Sequence, residues 1–209
     1  VFLVDPVDSF YKNRREHGTI ITLACTKPAA TCFCSLFGID AANPLGDVSG
    51  WIADEILYLE PQTDKGRIFV DSFASVLAAA DGKATSVVEE QKKEIAEKMK
   101  KQSFANLKKD RFKPENLLDI FNDSAWASLS EACLGCGTCT FVCPTCQCYD
   151  IRDFDTGHGI KRFRCWDSCM YSDFTKMAHG NPRLTQLERF RQRFMHKLVY
   201  FPSNNEGQF

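Results

Sequence analysis

The chain has 209 residues, 11 of them cysteine, with 44% hydrophobic and 25% charged residues and a formal net charge of −1. That length suits one or two domains with an ordinary soluble core. The near-zero charge gives no general attraction to nucleic acid or an anionic membrane, and no apolar run approaches the roughly 20 residues that span a bilayer.

In chain order, "DPVDSFYKNRREH" (5–17) reads as a short helix entered through Asp and Pro. "GTIITLAC" reads as a buried strand opening into a loop at Cys25. Ile56–Glu60 and Arg67–Val70 read as two short strands joined by a turn at Pro61, Asp64 and Gly66. "SFASVLAAADG" reads as a helix stopped by Gly82. Ser86-x-x-Glu89 reads as a capping box opening a long polar helix with the stripe Val88, Ile95 and Met99. A helix so polar suits a bridge between elements better than a core. Pro114–Phe121 and Ser124–Ala132 read as two short helices delivering the chain to Cys133. Beyond the cysteines, 148–166 reads as a hairpin turning at Gly157 and Gly159. From Pro182 a helix runs to about Tyr200, with Leu184, Leu187, Phe194 and Leu198 on its apolar face and Arg189, Arg193 and His196 on the other. The basic side reads as a solvated face, with docking to an acidic partner as the alternative. The chain opens "VFLVDP" without Met and closes in polar residues, so both ends read as truncated from a longer protein.

The cysteines fall into three groups, Cys25/Cys32/Cys34, the run Cys133–Cys148, and Cys165/Cys169. A secreted disulfide scaffold is disfavoured, because such chains are short and loop-rich. Cys133-x2-Cys136-x2-Cys139-x3-Cys143-Pro144 has the ferredoxin-type iron–sulfur spacing. Gly135 and Gly137 allow close backbone approach and aim amides at the sulfides, and Pro144 turns the chain away. In two-cluster ferredoxins the fourth cysteine of such a run ligates the other cluster. Structural zinc is the rival, but it usually takes two separated Cys-x2-Cys pairs.

Cys146, Cys148 and Cys169, with Cys25, Cys32 and Cys34 upstream, have two readings. They hold a further cluster between the upstream part and the ferredoxin-like part, or they pack as small hydrophobes. In an extended segment, residues i and i+2 point the same way, so a Cys-x-Cys presents two thiols to one cluster. Cys165 fits either a shared face with Cys169 or a packed thiol, and stands apart. Phe141, Tyr149 and Trp166 read as an apolar shell over the sulfurs. His17, His158, His179 and His196 are scattered and read as surface or hydrogen-bonded. With no Gly-x-Gly-x-x-Gly, Gly-x-Ser-x-Gly or His-Glu-x-x-His, no residue reads as catalytic.

"EACLGCGTCTFVCPTCQCYDIRD", "WDSCM" and "NPRLTQLERFRQRFMHKLVYFP" resemble the iron–sulfur electron-transfer subunits related to the sulfhydrogenase beta subunit, a group that includes the corresponding subunit of anaerobic sulfite reductase. "LACTKPAATCFC" and "LEPQTDKG" extend the resemblance over nearly the whole chain. Members of that family usually carry more sequence before the position of Val1 and a second Cys-x2-Cys-x2-Cys-x3-Cys-Pro after that of Phe209. By the family pattern, this further motif supplies one ligand to the Cys133/Cys136/Cys139 cluster and three to the Cys143 cluster. Cys165 matches no ligand position of the family.

The resemblance implies an α+β fold. Its parts are a partial α/β domain over 1–82 with the Cys25/Cys32/Cys34 loop, a helical linker over 83–132, and a ferredoxin-like iron–sulfur domain over 133–209 ending in a long helix. It also implies an electron-transfer subunit with at least one 4Fe-4S cluster, working between two partners, a flavin-bearing oxidoreductase subunit on one side and a catalytic redox subunit on the other. The catalytic partner is of hydrogenase, sulfite reductase or heterodisulfide reductase type, and the flavin belongs to its own subunit and not to this chain. Thiolates close to solvent point to a reducing, cytoplasmic and anaerobic setting. Two other readings stand beside this one: a zinc-stabilised interaction module, and a subunit whose unusual cluster binds substrate directly.

Overall fold

A buried carboxylate organises the first of two units in the computed structural model, which describes residues 2–143 and 146–207 and divides between Lys109 and Asp110. Asp47 accepts two hydrogen bonds from the Arg15 guanidinium, at 3.0 and 3.2 Å, one from the Ile20 amide at 2.9 Å and one from the Thr63 hydroxyl at 3.0 Å. These donors, Arg15 first, hold its carboxyl well below the usual carboxylate range. Arg15 lies on helix α1 (Ser9–His17), which starts where Asp8 accepts from the amides of Phe10 and Tyr11. Ile20 precedes strand β1 (Ile21–Leu23), and Asp47 itself precedes strand β2 (Val48–Ala53).

β1 pairs parallel with β2, Ile21 opposite Val48, and β2 pairs antiparallel with β3 (Ile56–Pro61), Trp51 opposite Tyr58. The central strand carries the burial, through Val48, Ser49 and Trp51. β1, expected buried, is a three-residue edge strand with Ile21 and Leu23 exposed. The β2–β3 turn is made by Asp54 and Glu55, both at positive φ.

The expected strand at Arg67–Val70 is instead the middle of helix α2 (Asp64–Ser72). Thr63 caps it, its hydroxyl accepting from the Gly66 amide at 3.1 Å, so residues that look like a hairpin turn open a helix. Residues 77–81 form no helix. Helix α3 (Gly82–Lys100) starts ahead of the Ser86 capping box, because the Asp81 side chain accepts from the Ala84 amide at 2.8 Å. It lies against β2, with Ile95 fully buried and the Lys92 ammonium 4.8 Å from the centre of the Trp51 ring.

The core of the second unit gathers Ile120, Trp126, Met195 and Val199, with Phe112, Leu187 and Phe190 packed around them. Helices α4 (Leu117–Phe121) and α5 (Ala125–Ser130) supply one side. After the one-turn helix α6 (Thr138–Phe141) comes the hairpin β4 (Tyr149–Asp155) and β5 (Ile160–Trp166), Tyr149 opposite Trp166. Helix α7 (Gln186–Met195) opens with a capping box between Thr185 and Glu188. It continues through a π turn (His196–Tyr200) into α8 (Phe201–Asn204). Of the expected apolar face, Leu187 and Leu198 join the core, whereas Leu184 precedes the helix and is exposed. Met195 and Val199 take the central places. Helices and strands in both units make the fold α+β.

Gly66 packs so closely under Asp47 that a Cβ there would lie 1.9 Å from the Asp47 carbonyl oxygen, whereas nothing lies within 4 Å of one at Gly82. Alanine for glycine within a helix ordinarily gains up to about 1 kcal/mol. For Gly66→Ala we expect the overlap to win, with a net loss of about 2 kcal/mol or more, while Gly82→Ala is neutral or mildly stabilising. Denaturant titration followed by circular dichroism checks this, and equal midpoints for the two variants would refute the close packing.

Candidate metal centre

The loop after α5 holds three cysteines in two left-handed turns. Cys133 leaves the helix with its amide on the Ser130 carbonyl at 3.0 Å. Gly135 and Gly137 have φ of 67° and 75°, values that favour glycine. A Cβ at Gly137 would lie 2.7 Å from the Tyr171 ring, and the Tyr171 hydroxyl donates to the Cys136 carbonyl at 3.4 Å. The Thr138 hydroxyl lies 3.4 Å from Cys136 Sγ and, with the Thr138 amide, draws that exposed thiol below the usual range. Burial pushes Cys139 up, and the Arg193 charge opposes it.

A second set of thiols lies beside this loop. Cys148 and Cys169 hydrogen-bond to each other; the pairing and burial push Cys148 up, while Cys148 draws Cys169 down to about 6. One backbone and one side-chain bond hold them: the Asp167 amide donates to the Cys148 carbonyl at 3.0 Å, and the Ser168 and Thr140 hydroxyls hydrogen-bond at 2.8 Å, tying the segment to α6. Cys146 is buried at 4% exposure. The sets adjoin through Cys139, which feels the charges of Cys169, Cys133 and Cys136. Cys143 is half-buried just after α6. Pro144, read as turning the chain away, lies outside the described residues. Cys165 sits within β5, its thiol donating to the Asp150 carbonyl at 3.8 Å.

Cys25, Cys32 and Cys34 are neighbours in the first unit, where a hydrogen bond with Cys32, then burial, pushes Cys34 up. These and the Cys133–Cys169 thiols belong to different units. Among the described residues, no group of three or more His, Cys, Asp or Glu is arranged to hold a single metal ion.

Helix α7 and its π turn supply donors where the sequence pattern suggests a solvated side. Gln186 Nε2 donates to Cys133 Sγ at 3.1 Å, and Arg189 steadies Gln186 at 3.0 Å. Arg193 donates to the Cys139 carbonyl, to Thr140 Oγ1 at 3.4 Å and to Cys146 Sγ at 3.5 Å. Lys197 Nζ lies 3.1 Å from the same sulfur. The spacing 186, 189, 193, 197 is one helical stripe, and that periodicity was the available signal. The basic face is therefore turned inward at Arg193, onto sulfur. Phe141, Tyr149 and Trp166, expected to cover the sulfurs, are exposed: the buried residue of α6 is Thr140, next to Phe141, and the other two pair at the exposed foot of the hairpin. Tyr171 packs on the loop instead.

A set of thiols backed by amide and cationic donors fits an iron–sulfur cluster, whose thiolates need hydrogen bonds and positive surroundings. Residues 132–209, within the second unit, match the family model described as "4Fe-4S dicluster domain". The chain is 33% identical to Sulfhydrogenase 2 subunit beta of Pyrococcus furiosus over 214 residues, 97% of this chain and 59% of that protein. The similarity runs over nearly the whole of this chain, which spans about three fifths of that relative's length. No solved structure matches. Among the described residues, no helix is long and apolar enough to cross a membrane.

Gly137→Ala should meet both the Tyr171 ring and a backbone cost of about 1–2 kcal/mol for a side chain in the left-handed region. We expect less iron per chain in Gly137→Ala, and partial recovery in Gly137→Ala/Tyr171→Ala, which relieves the overlap alone. Iron per chain after anaerobic purification reads both, and full iron in the single variant would contradict this geometry.

Proposed function

We propose that this chain is the iron–sulfur electron-transfer subunit of an anaerobic, cytoplasmic, multi-subunit oxidoreductase, passing electrons between a flavin-bearing partner and a catalytic one. The observation that carries the reading is the ferredoxin-spaced loop Cys133/Cys136/Cys139, folded against hydrogen-bond donors within a region that matches a 4Fe-4S dicluster domain. The relation to a sulfhydrogenase beta subunit supports the place in a complex. Hydrogen, sulfite or a heterodisulfide is the class of terminal substrate for such a complex.

In this reading Cys133, Cys136 and Cys139 hold one cluster and Cys143 contributes to another. Cys146, Cys148 and Cys169 are the ligands offered to a further one. Bound 4Fe-4S clusters supply one-electron redox chemistry. The chain's own residues do the rest. Gln186 orients Cys133, Tyr171 braces the glycine loop, and the Thr140–Ser168 bond holds α6 to the turn bearing Cys169. Cys25, Cys32 and Cys34 form a separate thiol set in the first unit.

Cys136→Ser tests the assignment. Its thiol is the most open of the loop and is drawn toward the thiolate by Thr138, so serine should cost one cluster's iron and acid-labile sulfide and destabilise the second unit, since ligand binding is linked to folding. Anaerobic purification with iron, sulfide and zinc analysis, and identification of co-purifying subunits, reads the outcome. Zinc in place of iron, or full iron with unchanged electron transfer in the variant, would defeat the proposal.

A further inference from the structure

We propose that Arg193 and Lys197 set the reduction potential of the cluster that includes Cys146, holding it above the value its thiols alone would give. This rests on the iron–sulfur reading above and adds two residues to it. Both cations come from one short stretch of helix and converge on one sulfur, Lys197 at 3.1 Å and Arg193 at 3.5 Å. Cys146 is 4% exposed, so their charges act through a medium that screens less than water. Arg193 also reaches the Cys139 carbonyl, so it touches both thiol-bearing segments.

The charge balance gives the sign. None of the carboxylate ion pairs among the described residues includes Arg193. It donates instead to sulfur, to a hydroxyl and to a carbonyl. A guanidinium taken out of water needs compensating negative charge, and thiolate sulfur supplies it. A cluster held by four thiolates is anionic and becomes more so when it accepts an electron. Fixed cations therefore favour the reduced form and raise the potential.

The opposite face of the same helix keeps the cations in place. Met195 and Val199 are each 1% exposed, locked against Ile120 and Trp126. Lys197 sits in the π turn, a wider helical turn that recurs at functional sites. The anchored helix fixes where both half-buried side chains start, beside Cys146.

The experiment is a redox titration followed by electron paramagnetic resonance on the full protein, purified anaerobically with its partner subunits. Lys197→Met keeps the stem and removes the charge; Lys197→Arg keeps the charge; Arg193→Gln removes the second cation. We expect full iron and sulfide in Lys197→Met. One cluster's potential should fall by the equivalent of about tenfold in the reduced-to-oxidised ratio, which is about 59 mV for one electron. The other clusters should stay unmoved, Lys197→Arg should lie near the native value, and Arg193→Gln should move the same cluster in the same direction. Unmoved potentials in iron-replete Lys197→Met and Arg193→Gln overturn the inference. Loss of iron from Lys197→Met also overturns it, because the ammonium then holds the loop instead of setting its potential. Zinc in the native protein defeats the functional reading itself, whereas unmoved potentials in iron-replete variants defeat this inference alone.

Discussion

Burial of Met195 and Val199 against Ile120 and Trp126 fixes the helix of residues 186–201, and with it the donors that reach cysteine sulfur in the second unit. Fully burying one such apolar side chain contributes about 1.5–3 kcal/mol, whereas an exposed ion pair contributes at most about 1 kcal/mol. The apolar face therefore decides where the helix lies, and the polar face makes use of that position. Trp126 adds direction: its indole donates to the Ile120 carbonyl at 2.6 Å and its ring meets those of Phe190 and Phe194. Arg191, between the two faces, lies over the Phe121 ring and donates to the Phe121 carbonyl. One helix thus carries a core on one side and a thiol-facing stripe on the other.

The first unit is held by contacts of a different kind. Its sheet has one well-buried strand, and the junctions around it are tied by Asp47, which gathers donors from α1, the start of β1 and the cap of α2. Lys65 completes the knot by donating to the Arg15 and Gly18 carbonyls. A carboxylate with this many donors keeps its charge. Losing one partner would leave the others buried without compensation.

Local chemistry was the legible part. The cysteine spacing, the glycines at positive φ within it and the hairpin over 149–166 are short-range patterns that need no tertiary context. Arg67–Val70 misled because its β-branched residues look like a strand, while the deciding group, the Thr63 cap, lies outside the run. Phe141, Tyr149 and Trp166 misled because proximity in sequence to the cysteines is not proximity of side chains. Arg193 misled because arginines on a helix ordinarily mark the solvated face. Here a buried thiol 47 residues earlier occupies that side, and no local pattern reports it.

The order of the parts along the chain has a consequence for assembly. Gln186 lies 53 residues after Cys133, and Lys197 lies 51 residues after Cys146. During synthesis the thiols therefore leave the ribosome well before the groups that hydrogen-bond to them. Until the last helix is made and seated on Trp126, these cysteines lack both their hydrogen bonds and their neighbouring positive charge. A nascent chain halted near residue 180 is a thiol-rich segment without these donors and counter-charges.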